Sequence, residues 1–219
     1  MGRKTIFITG ASSGIGRATA ELAAGRDWNV ALFARRGDRL ADLARDLGDA
    51  ALALEGDVTR PDDLERAIAA TVDRFGGVDA AFANAGRGAG SGGRDGWRAM
   101  VDVNVMGLLY TAEAVLPELK KTKGTLVLTG SAAGRMHIKG SVYGATKWFV
   151  HGYAGNMAED MRDWGGRCCV IAPGMVDTEF FDQGKPDKLH PEDVAAAVLH
   201  AIEAPERAAV REIFLMPQH

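Results

Sequence analysis

Short apolar runs rich in β-branched and aromatic residues recur along the chain, each separated from the next by a run with apolar positions at helical spacing. Strands are predicted at residues 5–9, 29–34, 51–55, 78–83, 125–129, 167–172 and 212–216. Their near-continuous apolar character, without polar alternation, predicts burial on both faces. Helices are predicted over 14–25, where Ile15, Ala18, Leu22 and Ala23 lie along one side, and over 39–47. Thr59, Pro61 and Asp62 start a third, with a capping hydroxyl, an early proline and an acid in the first turn, and it runs to about Phe75. Two long helices follow at 97–118 and 141–164, and Pro191 opens a last one over 192–204. Residues 86–96 hold six glycines in eleven positions and read as a flexible loop, while 178–189 are short and polar. Strands alternating with helices specify an α/β fold. The expectation is one doubly wound domain over residues 1–219, a parallel sheet of about seven strands with helices on both faces.

Length and composition narrow the function. A chain of 219 residues can bury a substantial core as one domain, and 47 % hydrophobic with 25 % charged content is that of an ordinary globular protein. A formal charge of −3 gives no general attraction to nucleic acid or to an anionic membrane, so neither is expected as a partner. No apolar run reaches the ~20 residues of a membrane span. Met1-Gly2-Arg3-Lys4 leads at once into the first strand, leaving no room for a signal peptide, so a cytoplasmic protein is expected. Cys168 and Cys169 are neighbours in a strand-like run and read as buried packing residues. The five histidines are scattered without metal-ligand spacing, so no metal is expected.

Two local patterns carry candidate chemistry. The first follows the first strand: Thr9-Gly10-Ala11-Ser12-Ser13-Gly14-Ile15-Gly16. Glycines between a strand and a helix let the backbone approach a phosphate, and the helix N-terminus adds unpaired N–H donors and a partial positive charge. The spacing is G-x-x-x-G-x-G, not the G-x-G-x-x-G of the commoner dinucleotide fold, and its strand–loop–helix context makes the domain a Rossmann-type one; a plain glycine turn is the alternative. The second strand then ends Leu32-Phe33-Ala34-Arg35-Arg36. An NAD site places an acid there for the ribose hydroxyls, whereas an NADP site supplies an arginine for the 2′-phosphate. Two arginines and no acid predict NADP(H), with Arg35 favoured over Arg36 for the contact and Ser12 and Ser13 adding neutral donors.

The second pattern is Tyr143 and Lys147, four residues apart in the second long helix, so both side chains leave one face a turn apart. A free phenol has a pKa near ~10, and an adjacent ammonium is expected to lower it by favouring the phenolate. The spacing alone recurs by chance in helices. Beside a nucleotide-binding loop it points to proton transfer next to a nicotinamide.

In this order the residues resemble the short-chain dehydrogenase/reductases over nearly the whole chain. The glycine motif is the one quoted; Asp57, in Gly56-Asp57-Val58, matches the family's adenine-ring aspartate, and Asn84-Ala85-Gly86 its N-A-G motif. Asn104 matches the helix asparagine, Ser131 the catalytic serine twelve residues before Tyr143, and Pro173-Gly174 the motif after the sixth strand, with Val176 and Thr178 beyond it. The resemblance implies that Tyr143 exchanges a proton with a small carbonyl or alcohol substrate, that Lys147 lowers its pKa and holds the nicotinamide ribose, that Ser131 binds the substrate oxygen, and that Asn104 holds a relay water. It also implies a dimer or tetramer built on the two long helices. Read alone, Ser131 is a strand-end cap and Asn104 a helix polar group. Ala83 departs from the family, which has an asparagine there. The chain is also shorter than usual around 86–96 and 178–189, where the family builds its substrate pocket and lid, which suggests an open site or weak substrate selection. The tail from Val210 to Pro217 is similar to a branch acting on small hydroxy acids and assorted carbonyls.

Other residues keep two readings. His137 beside Met136 lines the pocket or faces solvent; Met175, Phe180 and Phe181 form an apolar wall or pack in the core. Trp148 is expected to face away from the catalytic side. A non-catalytic NADPH sensor on the same fold is the main alternative function. A sugar-nucleotide epimerase would need a larger C-terminal domain than the residues after Pro173 supply.

Overall fold

In the computed structural model, which describes residues 2–88, 92–180 and 183–218, seven strands form one parallel sheet. They are β1 (Thr5–Thr9), β2 (Asn29–Ala34), β3 (Ala51–Glu55), β4 (Ala80–Ala83), β5 (Thr125–Thr129), β6 (Arg167–Pro173) and β7 (Glu212–Leu215). Their spatial order is β3-β2-β1-β4-β5-β6-β7. β1 pairs with β2 on one side (Thr9 opposite Phe33) and with β4 on the other (Ile8 opposite Phe82). The order therefore reverses between β1 and β4, and a crevice opens there at the C-terminal strand ends.

The helices are α1 (Gly14–Ala24), α2 (Gly37–Leu47), α3 (Pro61–Phe75), α4 (Gly93–Val101), α5 (Leu108–Thr122), α6 (Val142–Arg162) and α7 (Pro191–Ile202). Side-chain alternation along β1 divides the core: Ile6 and Ile8 join α1, α2 and α7, while Phe7 joins α3, α5 and α6, all three side chains fully buried. That two-sided burial is what the continuous apolar runs encode. Cys168 and Cys169 lie in these layers as free thiols, and burial pushes both up to about 12, so neither is a thiolate at neutral pH.

Three features depart from expectation. The helix expected at 97–118 starts at Gly93, inside the expected loop, and runs as α4, a π-helical stretch Asp102–Gly107, and α5 to Thr122. Apolar periodicity persists through such a wider turn, so a sequence pattern does not reveal it. Ser141 caps α6 from outside, its Oγ accepting from Gly144 N at 2.9 Å. The continuous helical run Gly93–Thr122 is long and apolar enough, by length and composition, to cross a membrane, which the sequence reading did not anticipate. Here its Met100, Leu108, Ala112, Val115 and Leu119 are buried in the protein itself.

Candidate active site

The site is assembled at the C-terminal ends of the central strands, starting from β1. Gly10 and Gly14 take left-handed backbone angles (φ 69° and 52°), which a side chain would strain. A Cβ on Gly16 would collide with the Gly10 carbonyl and stand 2.7 Å from Asn84 Nδ2, so only glycine lets α1 start this close to the loop. α1 has no side-chain cap and no acid in its first turn, so its N–H donors and positive dipole end face the loop uncancelled. A cradle closed to any Cβ, lined by N–H donors and the Ser12 and Ser13 hydroxyls, fits a pyrophosphate.

Asn84 holds the strand tips around this cradle. Its Nδ2 donates to the Thr9 and Gly10 carbonyls at 3.1 and 3.4 Å, and its Oδ1 accepts from Thr129 Oγ1 at 3.3 Å. Thr9 Oγ1 in turn accepts from the backbone N–H groups of Asn84 and Ala85 at 3.0 and 3.1 Å. The Asn84 side chain is thus engaged with the scaffold, and any cofactor contact along Asn84-Ala85-Gly86 is left to the backbone. Asp57 accepts at Oδ1 from the N–H and hydroxyl of Thr59, both at 2.9 Å. Its own N–H donates to the buried Asp63 carboxylate at 3.0 Å. That hydrogen bond, followed by the Arg66 side chain, holds the Asp63 carboxyl below the usual carboxylate range. Val58 is buried against Gly107, where a Cβ would stand 2.7 Å from Val58 Cγ2.

The structure sets the two arginines apart. Arg36, not Arg35, lies on the glycine loop: Nε and Nη2 donate to Ser12 Oγ at 3.1 and 3.0 Å, and Nη2 to Ser13 Oγ at 2.6 Å. Arg35 is exposed with no hydrogen-bond partner among the described residues. Adjacent residues at a strand end point to opposite sides, and composition alone cannot say which one turns back over the loop.

Ser131, Tyr143, Lys147 and Asn104 meet beyond the tips of β4 and β5. Ser131 caps the short turn Ala132–Gly134, its Oγ accepting from Ala133 N at 3.1 Å, so the capping reading is also realised. Burial raises the Tyr143 phenol above its ordinary value, and a hydrogen bond with the Ser131 side chain offsets part of that rise. Lys147 Nζ lies 5.7 Å from the Tyr143 ring centroid and donates to the Thr129 carbonyl at 2.7 Å. At 5 % exposure its ammonium is itself pushed down to about 8 by burial. The expectation that Lys147 depresses the Tyr143 pKa is therefore corrected for the free protein, where desolvation dominates and Ser131 is the group that opposes it. Asn104, 2 % exposed, accepts at Oδ1 from Arg87 N (2.9 Å) and donates from Nδ2 to Arg87 O (3.0 Å) and Thr146 Oγ1 (3.2 Å). Both amide hydrogens are engaged, so a relay water would have to donate to an oxygen of Asn104. Thr146 Oγ1 in turn donates to the backbone carbonyl of Tyr143 at 2.8 Å, tying the π-helical turn to the start of α6.

The segment after β6 completes the site. A Cβ on Gly174 would come within 2.9 Å of Pro217 Cδ, so the C-terminal tail keeps this position small. Buried Val176 bridges Leu189, and Asp177 N donates to Leu189 O at 2.7 Å, pinching the loop at its base. Thr178 lies over Gly14, and Phe180 packs on Tyr143 with ring centroids 5.6 Å apart. A short loop therefore reaches the Tyr143 ring, while Phe180 itself stays 44 % exposed. Phe181 lies outside the described residues. Met175 is exposed, as are Met136 and His137, whose ring rests on Trp148.

Sequence reading did not single out Thr9, Asp63, Thr146, His151 or Glu179. His151, one turn after Lys147, places Nε2 3.3 Å from the Ser131 carbonyl, with its ring against Gly130 and Gly134. The i, i+4, i+8 series Tyr143, Lys147, His151 on one helix face was the available signal.

Comparison with known proteins follows the same lines. A family model described as short chain dehydrogenase matches residues 4–189. Serine 3-dehydrogenase of Agrobacterium fabrum is 35 % identical over 232 residues, covering 97 % of this chain and 93 % of its own. Among solved structures, an alcohol dehydrogenase from the archaeon Thermococcus sibiricus, complexed with 5-hydroxy-NADP, matches with a TM-score of 0.90 at 30 % identity, covering 99 % of this chain and 97 % of that one. The closed form of a serine dehydrogenase complexed with NADP+ matches with a TM-score of 0.89 at 29 % identity, covering 97 % and 94 %. With likeness of sequence and of fold extending over nearly its full length, the chain belongs to the short-chain dehydrogenase family of oxidoreductases.

Proposed function

We propose that the chain is an NADP(H)-dependent oxidoreductase acting on a small carbonyl or alcohol, with Tyr143 as general acid and base. The observation that carries this reading is the half-buried phenol, with Ser131 acting on it and Lys147 flanking it, beside a glycine cradle whose serines hold an arginine. Because burial keeps Tyr143 protonated at neutral pH, it can give its proton to a carbonyl oxygen held also by the Ser131 hydroxyl, which stabilises the developing negative charge. In the reverse direction the phenol oxygen takes the proton of the alcohol. Lys147 carries its charge below about 8 and would hold the ribose hydroxyls, while Asn104 fixes the Arg87 backbone beside it. NADP(H), when bound, supplies or accepts the hydride.

Gly10, Ser12, Ser13, Gly14, Ile15 and Gly16 would hold the pyrophosphate, Arg36 with Arg35 the 2′-phosphate, and Asp57 and Val58 the adenine. The backbone of Asn84-Ala85-Gly86 and the run Pro173, Gly174, Val176 and Thr178 would line the nicotinamide half. The NADP-type ligands of two similar structures support this cofactor, and similarity to serine 3-dehydrogenase puts small hydroxy acids first among substrates. The family resemblance also carries a homodimer or homotetramer, which light scattering would measure. The cofactor half is tested by fluorescence titration. Wild type should bind NADPH well ahead of NADH, and Arg36→Ala should weaken NADPH by about 1.5–3 kcal/mol, the range for a hydrogen bond to a charged group, while leaving NADH nearly unchanged. Equal affinities of wild type for both cofactors would overturn it.

A further inference from the structure

Three consecutive residues after β6 each touch a different part of the site. Thr178 covers Gly14 and Phe180 rests on Tyr143. Between them Glu179 reaches back to the end of β2, accepting from Arg36 Nη1 at 2.9 Å and, through both oxygens, from Arg39 Nη1 at 2.8 and 2.9 Å. Arg36 thus has its Nε and Nη2 on the loop serines and its Nη1 on a carboxylate of its own chain. The two guanidiniums form the positive mouth of the glycine loop, and the anion they hold is Glu179.

We propose that Glu179 is a specificity-determining residue, a resident carboxylate in the place the 2′-phosphate of NADP(H) would take, which must leave Arg36 before that phosphate can bind. The inference rests on the NADP(H) reading above. A phosphate outcompetes a carboxylate here because it brings more charge and three acceptor oxygens to a paired guanidinium site. The exchange is easy because the Glu179 side chain is 58 % exposed, and an exposed ion pair is weakly held. NAD(H) presents a hydroxyl at that position, gains nothing from the arginines, and has no need to displace the carboxylate. Glu179 therefore penalises NADP(H) alone and narrows the preference the arginines create.

The test is titration of NADPH and NADH, read by cofactor fluorescence, against wild type, Glu179→Gln, Arg36→Ala and the double variant. Glu179→Gln should tighten NADPH by about two- to fivefold, the scale of exposed ion pairs, and leave NADH unchanged. In the Arg36→Ala background the same substitution should gain clearly less, because only Arg39 is left for Glu179 to occupy, which separates a local competitor from a general change of charge. Unchanged NADPH affinity in Glu179→Gln, or equal tightening of both cofactors, would overturn the inference. So would weaker NADH binding, which would make Glu179 a partner of the ribose hydroxyls. Failure of the underlying reading shows separately, as a wild-type protein without preference for NADPH; tightening of NADPH alone would still sustain the role of Glu179.

Discussion

Lys147 stands one helical turn from Tyr143, yet its ammonium is directed to the carbonyl of Thr129, 2.7 Å away, and burial is what moves its pKa. The residue that the chemistry needs charged is held where charge is disfavoured. Its folded pKa of about 8 lies below the ordinary 10.5, so the unfolded chain binds the proton more firmly. Stability therefore carries the full cost below about 8 and rises as pH climbs toward 10.5.

Lys147→Met should match or exceed wild-type stability at neutral pH, even though the orphaned Thr129 carbonyl costs about 1–3 kcal/mol. Urea midpoints measured at rising pH should show wild type gaining on the variant between about 8 and 10.5. A variant that falls furthest behind at neutral pH would contradict the desolvation account.

Asp63 provides the opposite sign. Its carboxyl is held low, first by the Asp57 N–H and then by Arg66, so it stabilises the fold above the ordinary carboxylate range and the contribution is lost as pH falls through the folded value. Asp63→Asn should cost about 1.5–3 kcal/mol at neutral pH, the scale of hydrogen bonds to a charged group, and much less in acid. Denaturation of both proteins at the two pH values checks it; a pH-independent difference would assign the loss to packing.

Gly16→Ala tests the cradle. The added Cβ meets the Gly10 carbonyl, so overpacking should cost about 1–3 kcal/mol of stability and sharply weaken NADPH binding. Unchanged cofactor affinity, by the same fluorescence titration, would place the pyrophosphate elsewhere.

The sheet was legible because strands buried on both faces, such as Thr5–Thr9 and Arg167–Pro173, read as unbroken apolar runs. The pairing of Tyr143 with Lys147 was legible because helical spacing is local. What spacing cannot carry is burial, and it is desolvation that raises the phenol above its ordinary value. Arg36 and Glu179 are 143 positions apart, and two exposed side chains that meet through a folded loop leave no pattern in either segment. The π-helical turn around Asn104 was hidden for a related reason, since apolar periodicity does not register one extra residue in a turn.

The most direct measurement of the central claim is Tyr143→Phe, compared with wild type for NADPH binding and for NADPH oxidation with a panel of small carbonyls that includes keto acids. The ring and its contact with Phe180 remain, and only the proton donor is lost. The variant should bind NADPH as wild type does while turnover falls by about 100- to 10,000-fold or more, the share carried by general acid–base catalysis. Near-normal turnover in Tyr143→Phe, or a wild-type protein that binds NADPH and oxidises it with no carbonyl, would contradict the account.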